Sequence, residues 1–159
     1  MKTIIVTGTP GTGKTTLAKK LNKKLGYDYI DVKEIIKEDK LKEGYDRKKK
    51  CYIVDIKKLN KVLVETIKKA AKSIIIDSHL SHYLPKKYVD LCIVTKCNLK
   101  ELKKRLEKNK KYSKSKVREN LDCEIFDVCL NEAKEAGHKV IVIDTTKGLN
   151  IAKIAHSIK

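Results

Sequence analysis

The sequence predicts an α/β fold: a parallel sheet with helices on both faces. Three observations carry that expectation. Short β-branched runs such as Thr3-Ile4-Ile5-Val6-Thr7 and Ser73-Ile74-Ile75-Ile76-Asp77 recur along the chain. Between them lie amphipathic stretches with apolar residues three and four apart, the helical spacing. The first run leads straight into a glycine-rich loop and then a helix, an order that parallel sheets use. The 159 residues suffice for one sizeable core, and a 41% hydrophobic content argues against disorder.

Residues 3–7 read as a buried strand. Lys14 to Leu25 is expected as a helix, with Leu17, Leu21 and Leu25 on one face and Gly26 to close it. Tyr27 to Ile30 reads as a short second strand and Val32 to Lys40 as a helix. Leu41 to Lys50 is polar, contains Gly44 and the run Arg47-Lys48-Lys49-Lys50, and reads as a mobile excursion. Asp55 to Ala71 follows as a helix with Leu59, Val62, Leu63 and Ile67 inward. Residues 73–77 form a buried strand ending in a carboxylate, and Leu91 to Thr95 another. Leu99 to Lys108 is expected as a helix, Asn109 to Lys116 as a basic loop, and Val117 to Ala136 as one long helix stopped by Gly137. Lys139 to Asp144 is the last strand and Leu149 to Ile158 the last helix.

Charge is the unusual feature. There are 38 Lys+Arg against 20 Asp+Glu, a net charge of +18, and only Arg47, Arg105 and Arg118 are arginine. Such a field attracts nucleotide phosphates or RNA. The same excess also arises from a genome-wide lysine bias, and the lack of Gln and Trp fits the Lys- and Glu-rich pattern of hyperthermophile proteins. Both readings stand. The cysteines at 51, 92, 97, 123 and 129 form no C-x-x-C pair and are expected as free thiols in a reducing compartment. No signal peptide or membrane-spanning run is visible, so a soluble cytoplasmic protein is expected, with no membrane partner.

Gly8-Thr9-Pro10-Gly11-Thr12-Gly13-Lys14-Thr15 satisfies the P-loop pattern G-x-x-x-x-G-K-[ST], between a strand and a helix as a functional site requires. Its glycines, Gly11 and Gly13 among them, let backbone N–H groups turn toward phosphate oxygens, and the helix dipole adds to them. ATP and Mg²⁺ are the expected ligands. Lys14 would reach the β- and γ-phosphates, Thr15 would enter the Mg²⁺ shell, and Thr16 would meet the α-phosphate. Asp77 ends an apolar strand at the same sheet edge, where a carboxylate holds Mg²⁺ directly or through water; a helix-cap or turn role is the alternative. His79 is placed to orient a water or touch a phosphate, or is a bystander. Asp144-Thr145-Thr146 would hold the nucleotide base, or is an ordinary turn.

Four stretches carry a family resemblance. They are Thr7 through Thr16; Glu43-Gly44-Tyr45-Asp46 with Cys51-Tyr52-Ile53-Val54-Asp55; Ile76-Asp77-Ser78-His79 with Tyr83-Leu84-Pro85; and Tyr112 through Glu119-Asn120-Leu121-Asp122-Cys123-Glu124-Ile125-Phe126. The chain resembles the adenylate kinase isoenzyme 6 family. That resemblance implies a P-loop NTPase fold of the nucleoside-monophosphate-kinase type in a single domain. It further implies a monophosphate-binding segment at about residues 30–53 and a short lid at about 108–116. Asp77 and His79 match the family's Asp-x-His motif. Three family arginines are replaced: one by Lys37, one in the stretch Lys110-Lys111-Tyr112, and one in Pro85-Lys86-Lys87. Lysine keeps the charge without the bidentate fork.

The activity implied is phosphoryl transfer from ATP to AMP, giving two ADP, together with ATP hydrolysis. Lys14, Asp77, His79 and Lys110 would act in catalysis, and Lys37 would hold the acceptor. The resemblance also implies small-subunit ribosome maturation, with a platform ribosomal protein and rRNA as partners. The alternative is an ATP-hydrolysing assembly factor with little kinase activity. A small-metabolite kinase is a third reading, against which the lid motif argues.

Overall fold

The structure is a computed structural model. It describes residues 1–46 and 51–159, without the side chains of residues 45, 46, 51 and 52. The run Arg47 to Lys50 and the Cys51 thiol therefore lie outside the described residues.

Strand β1 (Thr3–Gly8) is buried along its whole length. Helix α1 (Lys14–Leu25) follows the glycine loop and ends on Gly26, whose left-handed backbone lets its N–H bond the Asn22 carbonyl. Strand β2 (Asp28–Asp31) and helix α2 (Val32–Glu38) come next, with the Asp31 carboxylate capping α2. Strands β3 (Lys42–Asp46) and β4 (Cys51–Val54) pair antiparallel. The expected excursion from Leu41 thus begins as one arm of a hairpin. Lys58 Nζ, on the following helix α3 (Ile56–Lys69), meets Glu43 Oε1 at 3.3 Å.

Strand β5 (Ile74–Asp77) leads through two short 3₁₀ turns, Ser81–Tyr83 and Lys86–Tyr88, to β6 (Leu91–Lys96). Helix α4 (Leu99–Lys108) matches its expected bounds. Helix α5 (Lys114–Ile125) starts earlier than expected, because Ser113 accepts a hydrogen bond from the Lys116 N–H and caps it. The long helix expected from Val117 to Ala136 is two helices. Asp127 takes φ +50 and breaks it, and α6 (Val128–Glu135) continues in a new direction. Lys96 Nζ bonds both Glu124 and Asp127 across this break, which holds a conformation that Asp tolerates better than most residues. Strand β7 (Val140–Asp144) and helix α7 (Ile151–Ile158) complete the chain.

The five-stranded sheet runs β2-β5-β1-β6-β7, all parallel. Ile4 and Val6 face α1 and α7, packing with Leu17, Leu21, Ile154 and Ile158. Ile5, Ile76 and Val94 face the other side, with Leu59 and Leu63 of α3 and Ala133 of α6. A third cluster of Cys97, Leu102, Leu106 and Val117 joins α4 to α5. Burying each Leu or Ile contributes about 1.5–3 kcal/mol, offset by chain entropy. The sheet order reverses at β1, so a crevice opens at its C-terminal end, where Gly8 stands level with Thr95. Among the described residues no helix is long and apolar enough to cross a membrane.

Candidate phosphate-binding site

A cleft of about 1170 Å³ opens at that edge, and Gly11, Gly13, Lys14, Thr15 and Thr16 form one wall. Two glycines are required there. A Cβ on Gly8 would lie 2.4 Å from Thr95 Oγ1 and 2.8 Å from its carbonyl oxygen, so only glycine lets the loop leave the sheet so closely. Gly13 has φ +86 and stands at the N-cap of α1, where no side chain caps the helix. The first-turn N–H groups of α1 are thus left for an anion in the cleft. The loop is braced from beneath: Thr12 Oγ1 donates to the Thr9 carbonyl at 2.6 Å and lies 2.7 Å from Thr95 Oγ1.

Lys14 Nζ rests on the Thr9 carbonyl at 3.2 Å. Burial pushes its pKa down to about 8, against the pull of Asp77. An ammonium held this way is under-solvated and gains from any anion that reaches it. Beside it, Thr15 Oγ1 donates to Asp77 Oδ2 at 2.6 Å, and Tyr29 Oη donates to the same oxygen at 2.8 Å. Asp77 is buried, so those two hydroxyls fix its carboxylate. The hydroxyl and carboxylate oxygens are hard donors of the kind Mg²⁺ takes, two protein ligands with phosphates and waters to complete the shell. The donor set fits the expected ion.

His79 lines the cleft with an accessible ring. Crowding by the cleft walls, then the charges of Lys14, Lys116 and Lys33, push its pKa well below the ordinary value, which keeps the imidazole neutral. The same cleft is also lined by Lys33, Lys37 and Lys42 and by Ile36, Val54 and Ile56. From the stretch expected as a lid, Lys111, Tyr112 and Lys116 line the cleft. Lys110 does not line it. The Lys111 N–H and Tyr112 N–H both turn back onto Asn109, and this tight turn leaves Lys110 facing solvent. Of Asp144-Thr145-Thr146, Thr145 borders the cleft, and its hydroxyl donates to the Thr12 carbonyl at 2.6 Å.

Three residues gain a place that the sequence did not assign them. Arg105 bridges the loop to this last turn, donating to the Thr145 carbonyl at 2.8 Å and to Thr145 Oγ1 at 3.1 Å. Tyr29 is one of several tyrosines until β2 aligns Asp31 with Asp77 and brings the two strands together. Glu124 belongs to the Glu119–Phe126 stretch that carries the family resemblance, which gives it no role of its own. Of the thiols, Cys92 and Cys97 are buried and Cys123 and Cys129 half-buried, all free. Burial pushes Cys92 up to about 12 and Cys129 to about 11, so both are inert at neutral pH.

Residues 4–127 match the family described as AAA domain. A Methanocaldococcus jannaschii protein named "Putative adenylate kinase" is 45% identical over 90% of this chain and 76% of its own. A Dictyostelium discoideum protein named "Adenylate kinase isoenzyme 6 homolog" is 37% identical over 89% of this chain and 79% of its own. Among solved structures, a shikimate kinase from Acinetobacter baumannii in complex with shikimate superposes with a TM-score of 0.62. It is 15% identical and covers 99% of this chain and 90% of its own, a likeness of fold alone.

Proposed function

The chain belongs to the adenylate kinase isoenzyme 6 family, and from that premise we propose that it transfers the γ-phosphoryl group of Mg²⁺-bound ATP to AMP, giving two ADP. One observation carries the reading: the phosphate loop and a second, cationic and part-apolar group of residues line one cleft of about 1170 Å³. That exceeds the volume a single drug-sized ligand occupies and suits two nucleotides end to end. In this reading the α1 N–H groups and Lys14 hold the donor phosphates. Thr15 and Asp77 would hold Mg²⁺, which would supply neutralisation of phosphate charge. Lys33 and Lys37 take the acceptor phosphate while Ile36, Val54 and Ile56 take its base. Lys111 and Lys116 close from the lid side, excluding water and setting the phosphates in line. Lysine attracts the phosphates without the planar fork, so the acceptor is held by charge more than by geometry.

A second reading is favoured by His79. Its neutral, accessible imidazole stands in the cleft and suits the orientation of a water, so ATP hydrolysis accompanies or replaces transfer. The net charge of +18 suits a partner rich in phosphate, and small ribosomal subunit maturation in the cytoplasm is the setting this reading proposes, with a platform ribosomal protein and rRNA as partners.

The deciding assay follows ADP and inorganic phosphate from ATP with and without AMP, and with a purified small-subunit platform ribosomal protein. ADP formation that depends on AMP supports transfer. Phosphate release that ignores AMP and responds to the ribosomal protein supports hydrolysis. Lys14→Ala is expected to abolish ATP binding, and intact binding in that variant would overturn both readings.

A further inference from the structure

Glu124, which accepts a hydrogen bond from Thr9 of the glycine loop, lies on α5, the helix whose first turn brings Lys116 to the cleft. We propose that Glu124 is a positioning residue: through the Thr9 hydroxyl it fixes the loop on which Lys14 rests, and it couples that loop to α5. The proposal rests on the reading of the loop as an ATP site and goes beyond it.

Glu124 is 6% exposed, at the end of α5 away from the lid. Its carboxylate is fully engaged. Oε1 accepts from the Thr9 hydroxyl at 3.1 Å and from Lys96 Nζ at 2.9 Å, and Oε2 accepts from the Cys97 N–H at 2.9 Å. Its backbone carbonyl takes Lys96 Nζ as well, at 3.2 Å. Lys96 continues to Asp127, at the left-handed turn where α5 stops. Burial works against the Lys96 ammonium, yet its bonds to Asp127 and Glu124 hold its pKa above the ordinary value. A buried ion pair contributes little to stability compared with apolar packing of the same volume, so its persistence here points to geometry as its role.

The chain of contacts continues from Thr9 to the chemistry. The Thr9 carbonyl accepts three donors: Thr12 Oγ1 at 2.6 Å, the Thr12 N–H at 3.2 Å and Lys14 Nζ at 3.2 Å. Glu124 thus holds the side chain of the same residue whose carbonyl holds the phosphate lysine. At its other end, α5 begins one residue after the Ser113 cap, and Lys116 of its first turn lines the cleft with Lys111 and Tyr112. Twelve helical residues make a rod about 18 Å long. It is pinned at Glu124 and Asp127 and carries lid cations at the far end. Movement of those cations toward the phosphates is therefore felt at Thr9, and release of Thr9 loosens the seat of Lys14.

The test compares Thr9→Val, Thr9→Ser and Glu124→Gln in the full chain, reading kcat for ADP formation with AMP or water as acceptor, ATP dissociation constant and melting temperature. Thr9→Val removes only the hydroxyl and disturbs packing little. The expected result is a kcat lower by about 10- to 100-fold, the scale of a misplacement near 1 Å. ATP affinity should change by less than about threefold, since the N–H groups that bind phosphate remain. Thr9→Ser should restore kcat. Glu124→Gln should lower kcat similarly, and the double variant should be no worse than the poorer single one. A Thr9→Val enzyme with unchanged kcat overturns the proposal, as does a fall in melting temperature that Thr9→Ser repairs while kcat never moves. If Glu124→Gln does not fold, the Thr9 pair decides alone. Lys14→Ala separates the two levels. Loss of ATP binding there with a fully active Thr9→Val sinks only the Glu124 proposal, whereas ATP binding retained in Lys14→Ala sinks the reading beneath it.

Discussion

Asp77 Oδ2 receives two hydroxyls, from Thr15 and from Tyr29, and only the Thr15 partner is one that a phosphate loop supplies. If Mg²⁺ engages Thr15 as proposed, Tyr29 would keep the carboxylate in place. Such outer partners of a metal ligand are worth about 10- to 100-fold in metal affinity. Tyr29→Phe should therefore raise the Mg²⁺ concentration needed for half-maximal activity by about tenfold. Metal-free ATP binding should stay unchanged, and the lost hydrogen bond should cost about 1 kcal/mol of stability. A Mg²⁺ titration followed by activity, with ATP binding measured in chelator, separates these; an unchanged Mg²⁺ requirement would show Tyr29 to be packing alone. The contrast between the two hydroxyls also shows what the sequence makes legible. Lys14, Thr15 and Asp77 stand at spacings and strand ends that chemistry dictates, so they are readable one after another. Tyr29 acts through a contact 48 residues away, and no local pattern marks it.

Elements follow the same division. Helices α1 and α4 and the buried strands carry their own signals, period, cap and apolar run, and the structure places them as expected. The β3–β4 hairpin carries none: Lys42–Asp46 is polar and holds a glycine, so it resembles a loop. The break between α5 and α6 is equally silent, because Lys96 on a distant strand stabilises it. A buried junction of three elements gives a prediction at this scale. His82, on the 3₁₀ turn after β5, lies 2.6 Å from Thr7 Oγ1 of β1 through Nδ1 and 2.8 Å from Glu132 of α6 through Nε2. The Glu132 carboxylate only accepts, so Nε2 carries the proton and Nδ1 accepts from Thr7. Burial pushes the His82 pKa down, outweighing the Glu132 hydrogen bond and charge, and His138, packed on the His82 carbonyl, adds to the fall. The unfolded chain, with His near about 6.5, then binds more protons than the folded one as pH drops below that value. Stability should fall below about pH 6.5, with His79 contributing in the same sense, and should rise as pH climbs past about 8, where folded Lys14 gives up its proton before the unfolded chain does. His82→Asn should melt lower at pH 7 yet lose less on acidification. A melting series in which both proteins share one slope would remove His82 from the account.

At the scale of the molecule, charge sets two opposed behaviours. A net +18 on 159 residues means that most lysines face like charge, and the folded state holds them closer than the unfolded one does. The few surface pairs, such as Lys58 with Glu43 or Arg118 with Asp122, contribute little each and leave that excess standing. Salt shortens the Debye length from over 10 Å in dilute buffer to a few ångström near 1 M, so it relieves the repulsion. The same screening would weaken the pull on phosphate proposed for Lys14, Lys33 and Lys37. Potassium chloride raised from about 0.05 to 0.5 M should lift the melting temperature by about 2–4 °C, the shift that about 1 kcal/mol makes in a chain of this size. Over the same range ATP affinity should weaken several-fold. Chloride is the right anion for this test, because sulfate or phosphate would occupy the loop at the N-terminus of α1 and raise the melting temperature by binding. If salt instead lowered the melting temperature, attractive pairs would outweigh repulsion, and the lysine excess would be spread so evenly that it steers nothing. If stability rose while ATP affinity stayed constant, the field would be a property of the surface, and the phosphate site would depend on its own N–H groups and Lys14 alone.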